Sequence, residues 1–381
     1  MKSILEEAHR IPMASDGTAT SALAKALITG ALRVKPGENV VIETWNHTLD
    51  YARACVVEAR RVGAHPLLWL EDEPAYWRSI EEAPAVKGWA KPGEHEWAAL
   101  ERSHAYVFFP GPADRPRLNQ QPTKRTEELL AYNGDWYRRA KKARLRGVRS
   151  VLGYASDAQA ERWGVSGVAW RDQLLRAATE VDLEAIHTDA KRAAQKLKAG
   201  SELRITAPNG TDVTLKLRGR TPFVDDGSVT SEDLAIGANM TVSPPGTVLV
   251  AVDEKSAEGI AIANRPSYLR PGRVEGGQWE AKAGKVSNIW YTEGQAEFDA
   301  AFQAAPKGKD NLSIFSIGLN SALDPGVPQV EDQEAGAVTL GIGGNASYGG
   351  SNKCPFLSWI VIGEATVAVD GKPLCDRGKL L

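Results

Sequence analysis

The segment from Gly336 to Asp370 constrains the chain more than any other. An apolar run from Ala337 to Ile342 enters a glycine-rich loop, Gly343-Gly344-Asn345 through Tyr348-Gly349-Gly350, and a second apolar run, Trp359 to Ile362, leaves it. Short unbroken apolar runs are strands buried on both faces. A loop whose backbone bends freely between them carries polar groups to the mouth of a sheet. The pattern predicts a functional site there.

The remainder divides in two by texture. In the first half, Val34-Lys35-Pro36-Gly37-Glu38-Asn39 is a turn feeding the run Val40-Val41-Ile42-Glu43. Leu49 to Val62 has helical spacing and stops at Gly63, a C-cap signal. Pro66 to Leu70 and Ala105 to Phe109 read as further strands. Strand, helix and strand joined by short links predict a parallel sheet. Arg171 to Leu197 is an amphipathic helical stretch expected to close this domain.

From Gly200 short β runs alternate with turns. Glu202 to Thr206 and Val213 to Leu217 flank Pro208-Asn209-Gly210-Thr211, a hairpin signal. Thr247 to Val252, Gly259 to Ala263, Val286 to Tyr291 and Ile314 to Ile317 are further strands, and Ala296 to Ala305 a helix. The fold class expected is therefore an α/β N-terminal domain with a mainly parallel sheet (1–198), followed by a β-rich α+β C-terminal domain carrying the site (199–381).

A net charge of −2 gives no general attraction for nucleic acid or an anionic membrane, and neither is expected as a partner. The basic stretch Arg138 to Arg149 reads as a solvated helix face. No apolar run approaches the roughly 20 residues of a membrane span. Met1 to Arg10 carries Glu6 and Glu7 and no apolar stretch, so it does not read as a secretory signal. Cys55, Cys354 and Cys375 form neither a disulfide framework nor a zinc knuckle, and a cytoplasmic location is expected. All six histidines (His9, His47, His65, His95, His104, His187) precede residue 190. A half without imidazole is left with carboxylate, phenol, thiol and hydroxyl chemistry.

The C-terminal frame resembles the thermophilic metalloaminopeptidase family (aminopeptidases T and S), whose superfamily includes 2,5-dihydroxypyridine dioxygenase. The matching residues are Gly336-Ala337-Val338-Thr339, Gly349-Gly350-Ser351-Asn352, Phe356-Leu357-Ser358 before Trp359-Ile360-Val361-Ile362, and Val369-Asp370-Gly371. The turn at Val34 to Glu38 is similar to the family's N-terminal domain. The resemblance implies the same two-domain fold, a homodimer and a dinuclear metal centre. Its ligand positions, however, fall on Thr247, Ile314, Thr339, Phe356 and Ser358, where no carboxylate or imidazole stands. Hydroxyls alone hold zinc or cobalt poorly.

The expectation is thus a family member with no metal and no cofactor, acting as a hydrolase or lyase on a small carboxylate-bearing or aromatic substrate. Two alternatives stay open, a metal-dependent aminopeptidase and a non-catalytic binding or assembly protein. Glu258 is the candidate base and Arg265 the anion clamp. Tyr348, between the glycine pairs, would donate to an oxyanion. His47 ends the first strand, where ligands of parallel sheets gather. Thr247, Thr339, Ser358 and Asn352 would line the cavity. The plainer alternatives are a salt bridge for Arg265, a loop-pinning ring for Tyr348 and a solvent-facing imidazole for His47.

Overall fold

The computed structural model describes residues 17–82, 88, 90–121, 123–269 and 272–381. The chain forms two compact units. One runs up to Gly153 and takes in Val229–Met240, and the other comprises Tyr154–Ser228 and Thr241–Leu381.

In the first unit Asn39–Trp45 lies parallel to His65–Glu71 on one side and to Ala105–Phe108 on the other, and Arg146–Ser150 pairs in parallel beyond. The Pro36-Gly37 turn closes as expected. Gly37 takes φ 81° and the Lys35 N–H donates to Glu38 Oε2 at 2.9 Å. Val40, Val41 and Ile42 are buried because the sheet is covered on both faces there. His65–Glu71 is different. It stands at the end of the strand order, and Leu67, Leu68 and Leu70 are exposed. The basic stretch is divided between the helix Asn133–Ala143 and the strand Arg146–Ser150, with Arg138, Arg139 and Arg146 paired to Asp135, Glu101 and Glu38.

The second unit holds two antiparallel sheets. The larger has eight strands, centred on the predicted hairpin Glu202–Thr206 and Asp212–Lys216. Gly210 takes φ 98° in its turn and the Thr211 N–H donates to Asn209 Oδ1, which fixes the register. The smaller runs Leu357–Ile362, Val338–Gly343, Leu312–Gly318, Thr247–Ala251, Phe223–Asp225. A single core joins them, with Leu203, Ile205, Val213 and Leu215 from the larger sheet and Val248, Val250, Phe315, Ile317, Leu340 and Ile360 from the smaller.

The boundary expected at 198/199 does not coincide with the division of the units. Arg171 to Leu197 is two helices, Gly167–Thr179 and Leu183–Ala199, the second begun by Asp182, whose side chain accepts from the Ala185 N–H at 3.0 Å. Ile186, Ala190, Ala193 and Leu197 of that helix enter the β-sheet core, so the helix belongs with the C-terminal strands. Among the described residues no helix is long and apolar enough to cross a membrane.

Candidate functional site

Residues directly opposite one another in a sheet share a face, and alternate residues of a strand change face. In the five-stranded sheet Ser316 pairs with Thr339 and Thr339 with Val361; Thr247 pairs with Gly318, two residues along from Ser316. One face therefore carries Thr247, Ile314, Ser316, Thr339, Leu357, Trp359 and Val361, while the other carries the core residues. Adjacent strands lie about 4.8 Å apart and each residue advances about 3.4 Å, which places Thr247 and Thr339 roughly 12 Å from each other.

The last strand corrects the expectation. Ser358 pairs with Ile342 and projects to the core face, so it does not share a cavity with Thr339. If the family's His-x-Asp positions face Thr339, they fall one residue later, on Leu357 and Trp359. A slip of a single residue exchanges every side chain between faces. Ile314 occupies the notch over Gly341, where a Cβ would lie 2.3 Å from it. The carboxylate on this face is Asp225, opposite Thr247, and its Oδ1 accepts from Thr241 Oγ1 at 2.5 Å and the Val242 N–H at 3.2 Å. Among the described residues no group of three or more His, Cys, Asp or Glu is gathered as a metal site.

The face is covered by the segment after Asn320. A Cβ on Gly318 would strike the backbone of Asp332 to Glu334 at 2.2 to 2.8 Å. From this segment comes a residue that the sequence reading passed over. Glu331 is 1% exposed, and its Oε1 accepts from the Tyr268 N–H at 3.0 Å and from the Trp359 indole N–H at 3.2 Å. Burial pushes its carboxyl up to about 8, with Asp332 adding to the rise and the two donors opposing it. Burial thus favours the protonated form of Glu331. Its Oε2 has no protein partner, and neither do Gln333 Oε1 nor the hydroxyls of Thr247, Ser316 and Thr339, all buried. The acidic run Glu331 to Glu334 looks like a solvated loop in sequence, and nothing local marks it.

The other candidates are engaged elsewhere. Glu258 is exposed on the eight-stranded sheet, where its Oε1 accepts from the Ala283 N–H at 2.7 Å, so it closes a hairpin rather than serving this face. Arg265 makes a two-pronged salt bridge with Glu334, at 3.0 Å and 2.9 Å, so its guanidinium is already satisfied by a carboxylate of the chain. Tyr348 lies half-buried on a single helical turn with its ring against Phe223. Asn352 ties the glycine loop together, donating to Gly308 O at 2.8 Å and Gly343 O at 2.7 Å. His47 belongs to the first unit, on the turn after the first strand, with Nε2 3.0 Å from Gly153 O.

The loop itself is anchored on Glu254. Its carboxylate accepts from Asn345 Nδ2, the Ser351 N–H and Arg220, all between 2.8 and 2.9 Å. Burial alone would raise this group, but Arg220 and the amide donors outweigh it and hold the carboxyl at about 2.

Two solved structures match nearly the whole chain. Wild-type AmpT from Thermus thermophilus has a TM-score of 0.68 at 18% identity, covering 96% of this chain and 99% of that one. The 2,5-dihydroxypyridine dioxygenase from Pseudomonas putida KT2440 has a TM-score of 0.63 at 16% identity, with coverage of 96% and 98%. At such identities the likeness speaks for the fold, which is that of aminopeptidase T. No curated protein matches the sequence. The model of the thermophilic metalloprotease (M29) family matches residues 18–321, and the chain belongs to that family.

Proposed function

We propose that this family member acts without the dinuclear metal centre, and that the face bearing Thr247, Ser316 and Thr339 holds a small polar molecule in its place. The reaction assigned is hydrolysis or elimination on a small carboxylate-bearing or aromatic substrate, with Glu331 rather than Glu258 as the proton-transferring group. One observation carries the reading. Three buried hydroxyls from neighbouring strands share a face, and none has a protein partner. An unsatisfied buried polar group costs about 1–3 kcal/mol, so this arrangement supports a role in holding polar atoms from outside the chain. A carboxyl whose protonated form burial favours, on the segment that covers this face, supports a role in donating a proton and taking one back.

The metal fits poorly. Thr247, Ile314, Thr339, Leu357 and Trp359 offer two hydroxyls, two aliphatic side chains and an indole whose N–H is already committed to Glu331. None is a ligand for zinc or cobalt of ordinary strength. The metal-dependent aminopeptidase reading is favoured by family membership alone. The non-catalytic reading is favoured by closure, because Thr247, Ser316 and Thr339 are 7%, 1% and 3% exposed.

Elemental analysis and a peptidase assay with added zinc or cobalt decide the first point. The expected result is substoichiometric metal and no release of N-terminal residues; one bound transition ion per chain, or activity restored by cobalt, would sink the proposal. Mass spectrometry of molecules extracted from the denatured protein decides the second. A polar compound present at stoichiometry and lost in Ser316→Ala/Thr339→Val supports the reading. If nothing is extracted and that variant is the more stable protein, the face is a closed polar core and the non-catalytic reading takes its place.

A further inference from the structure

A second cavity lies at the other end of the five-stranded sheet, apart from the hydroxyl face. Thr247 begins the strand Thr247–Ala251, and the chain leaving that strand forms one wall, Asp253-Glu254-Lys255, of a pocket of about 330 Å³. At about 3.4 Å per residue the two ends of the strand are roughly 14 Å apart, and the pocket stands beyond the far end. Arg218, Asn311 and Ser351 reach it from three other segments. Its floor is committed to the fold. Asn311 Nδ2 donates to Glu254 O at 2.9 Å, and Asn352 Nδ2 to Gly308 O and Gly343 O. A Cβ on Gly284 would lie 2.2 Å from Glu254 O, and one on Gly308 2.7 Å from Asn352 Oδ1, so the backbone beneath is packed without slack. A site on such a floor is ordered before anything binds.

The walls carry charge, and the balance is positive. Glu254 pairs with Arg220 at 2.9 Å, and Asp253 with Arg218 at 2.8 Å while also accepting from the Lys255 N–H, so both carboxylates are matched. Lys255 is exposed, and among the described residues no carboxylate lies within salt-bridge reach of its ammonium. The Arg218 side chain is 57% exposed and keeps N–H donors that Asp253 does not use. A cation in excess runs against a chain whose net charge is −2. We propose that this pocket binds the phosphoryl group of phosphate or of a small phosphate monoester, with Arg218, Lys255 and Ser351 as its donors. At neutral pH a phosphate monoester carries about −1.5 to −2 charges on three acceptor oxygens, and a guanidinium, an ammonium and a hydroxyl from separate segments answer that number. A carboxylate, with one charge and two coplanar oxygens, leaves a donor unmet. Asp253 holds the Arg218 fork in place rather than competing for the ligand. The cavity is roughly ten times the volume of a water molecule in the liquid, which leaves room beside the phosphoryl group. Every lining side chain is polar, so that room suits a hydroxylated body and not an apolar one.

The test is equilibrium dialysis of the full chain against labelled inorganic phosphate, glycerol phosphate and acetate, at one ionic strength set with chloride. Saturable binding is expected for a phosphate compound and none for acetate. Lys255→Gln should weaken phosphate binding by about tenfold or more, and Arg218→Gln by at least as much. Lys35→Gln, in the first unit, should leave it unchanged. An unaltered melting temperature for Lys255→Gln, expected of an exposed side chain, separates a lost ligand from a lost fold. Tighter binding of glycerol phosphate than of phosphate supports the proposal with an ester as the ligand, and the reverse order supports it with the free ion. Absence of saturable phosphate binding overturns it. Equal binding of acetate does so too, as does phosphate binding that Lys255→Gln and Arg218→Gln both leave intact.

Discussion

Glu254 and Glu331 lie in the same unit, are 8% and 1% exposed, and have their carboxyls pushed in opposite directions, Glu254 down and Glu331 up. The difference is in their donors. Glu254 receives the Arg220 guanidinium, an asparagine amide and a backbone N–H, enough to hold it as a carboxylate at about 2 despite burial. Glu331 receives neutral donors only, the Tyr268 N–H and the Trp359 indole on one oxygen and none on Oε2, so burial wins and its carboxyl is pushed up. Burial alone does not distinguish an anchor from a reactive acid; the count and charge of donors does. By that measure the glycine loop's end of the sheet is scaffold, and the proposed chemistry falls to the face under Glu331.

The largest effect expected from this contrast is at the anchor. Glu254→Leu leaves the largely enclosed Arg220 without its carboxylate and strips Asn345 and Ser351 of their acceptor. Removing one partner of a buried pair costs about 3–5 kcal/mol, to be read from urea unfolding of the variant. A loss below about 1 kcal/mol would mean that the loop is not held there, and the contrast would break.

Next in size is a pH effect at Glu331. Its folded-state pKa lies above the ordinary 4.5, so between about pH 4.5 and 8 the folded protein binds a proton that the unfolded chain has released. Stability from this group is full below pH 4.5 and is lost as pH rises through 8, at up to about 1.4 kcal/mol per pH unit. Glu43 of the first unit, pushed up to about 7 by burial against the hydrogen bond from Tyr106, slopes the same way, so the comparison is between the parent and Glu331→Gln. The glutamine variant should lose its share of the slope. An unchanged profile would show that Glu331 is ionised in the fold.

Much of this architecture is readable in the sequence because it is written locally. The Pro36-Gly37 turn, the Asn209-Gly210 hairpin and the runs Val338–Gly343 and Leu357–Ile362 depend on neighbours a few residues away. The reading falls short where local pattern carries no information about partners. Phe356 to Ile362 is apolar at nearly every position, so no alternation reveals which residues face Thr339, and Ser358, expected to line the cavity, projects to the other face with Ile342. Arg265 looks free beside Glu258 but closes on Glu334, sixty-nine residues later. Pro66 to Leu70 has the composition of a central strand and lies at an edge. Glu331 is the plainest case. Its chemistry comes from Tyr268 and Trp359, and no window around residue 331 contains either.

The smallest effect sharpens the same contrast most closely. Thr339→Val keeps the shape of the side chain and removes a buried hydroxyl that no protein group satisfies. If nothing else engages that hydroxyl, the change is neutral or stabilises by up to about 1 kcal/mol, since an orphan polar atom has been traded for a methyl. If a bound molecule engages it, the purified parent loses stability relative to itself when that molecule is dialysed away, and the valine variant does not. Ser316→Ala, directly opposite on the next strand, should behave alike, and the two should be non-additive because they would share one partner. Applied to Asn345, the same reasoning predicts the reverse. Its amide is committed to Glu254 and Ser313 O, so Asn345→Ala costs stability whether or not anything is bound. Two buried polar residues of one unit that respond to truncation with opposite sign would separate the face that binds from the loop that holds it.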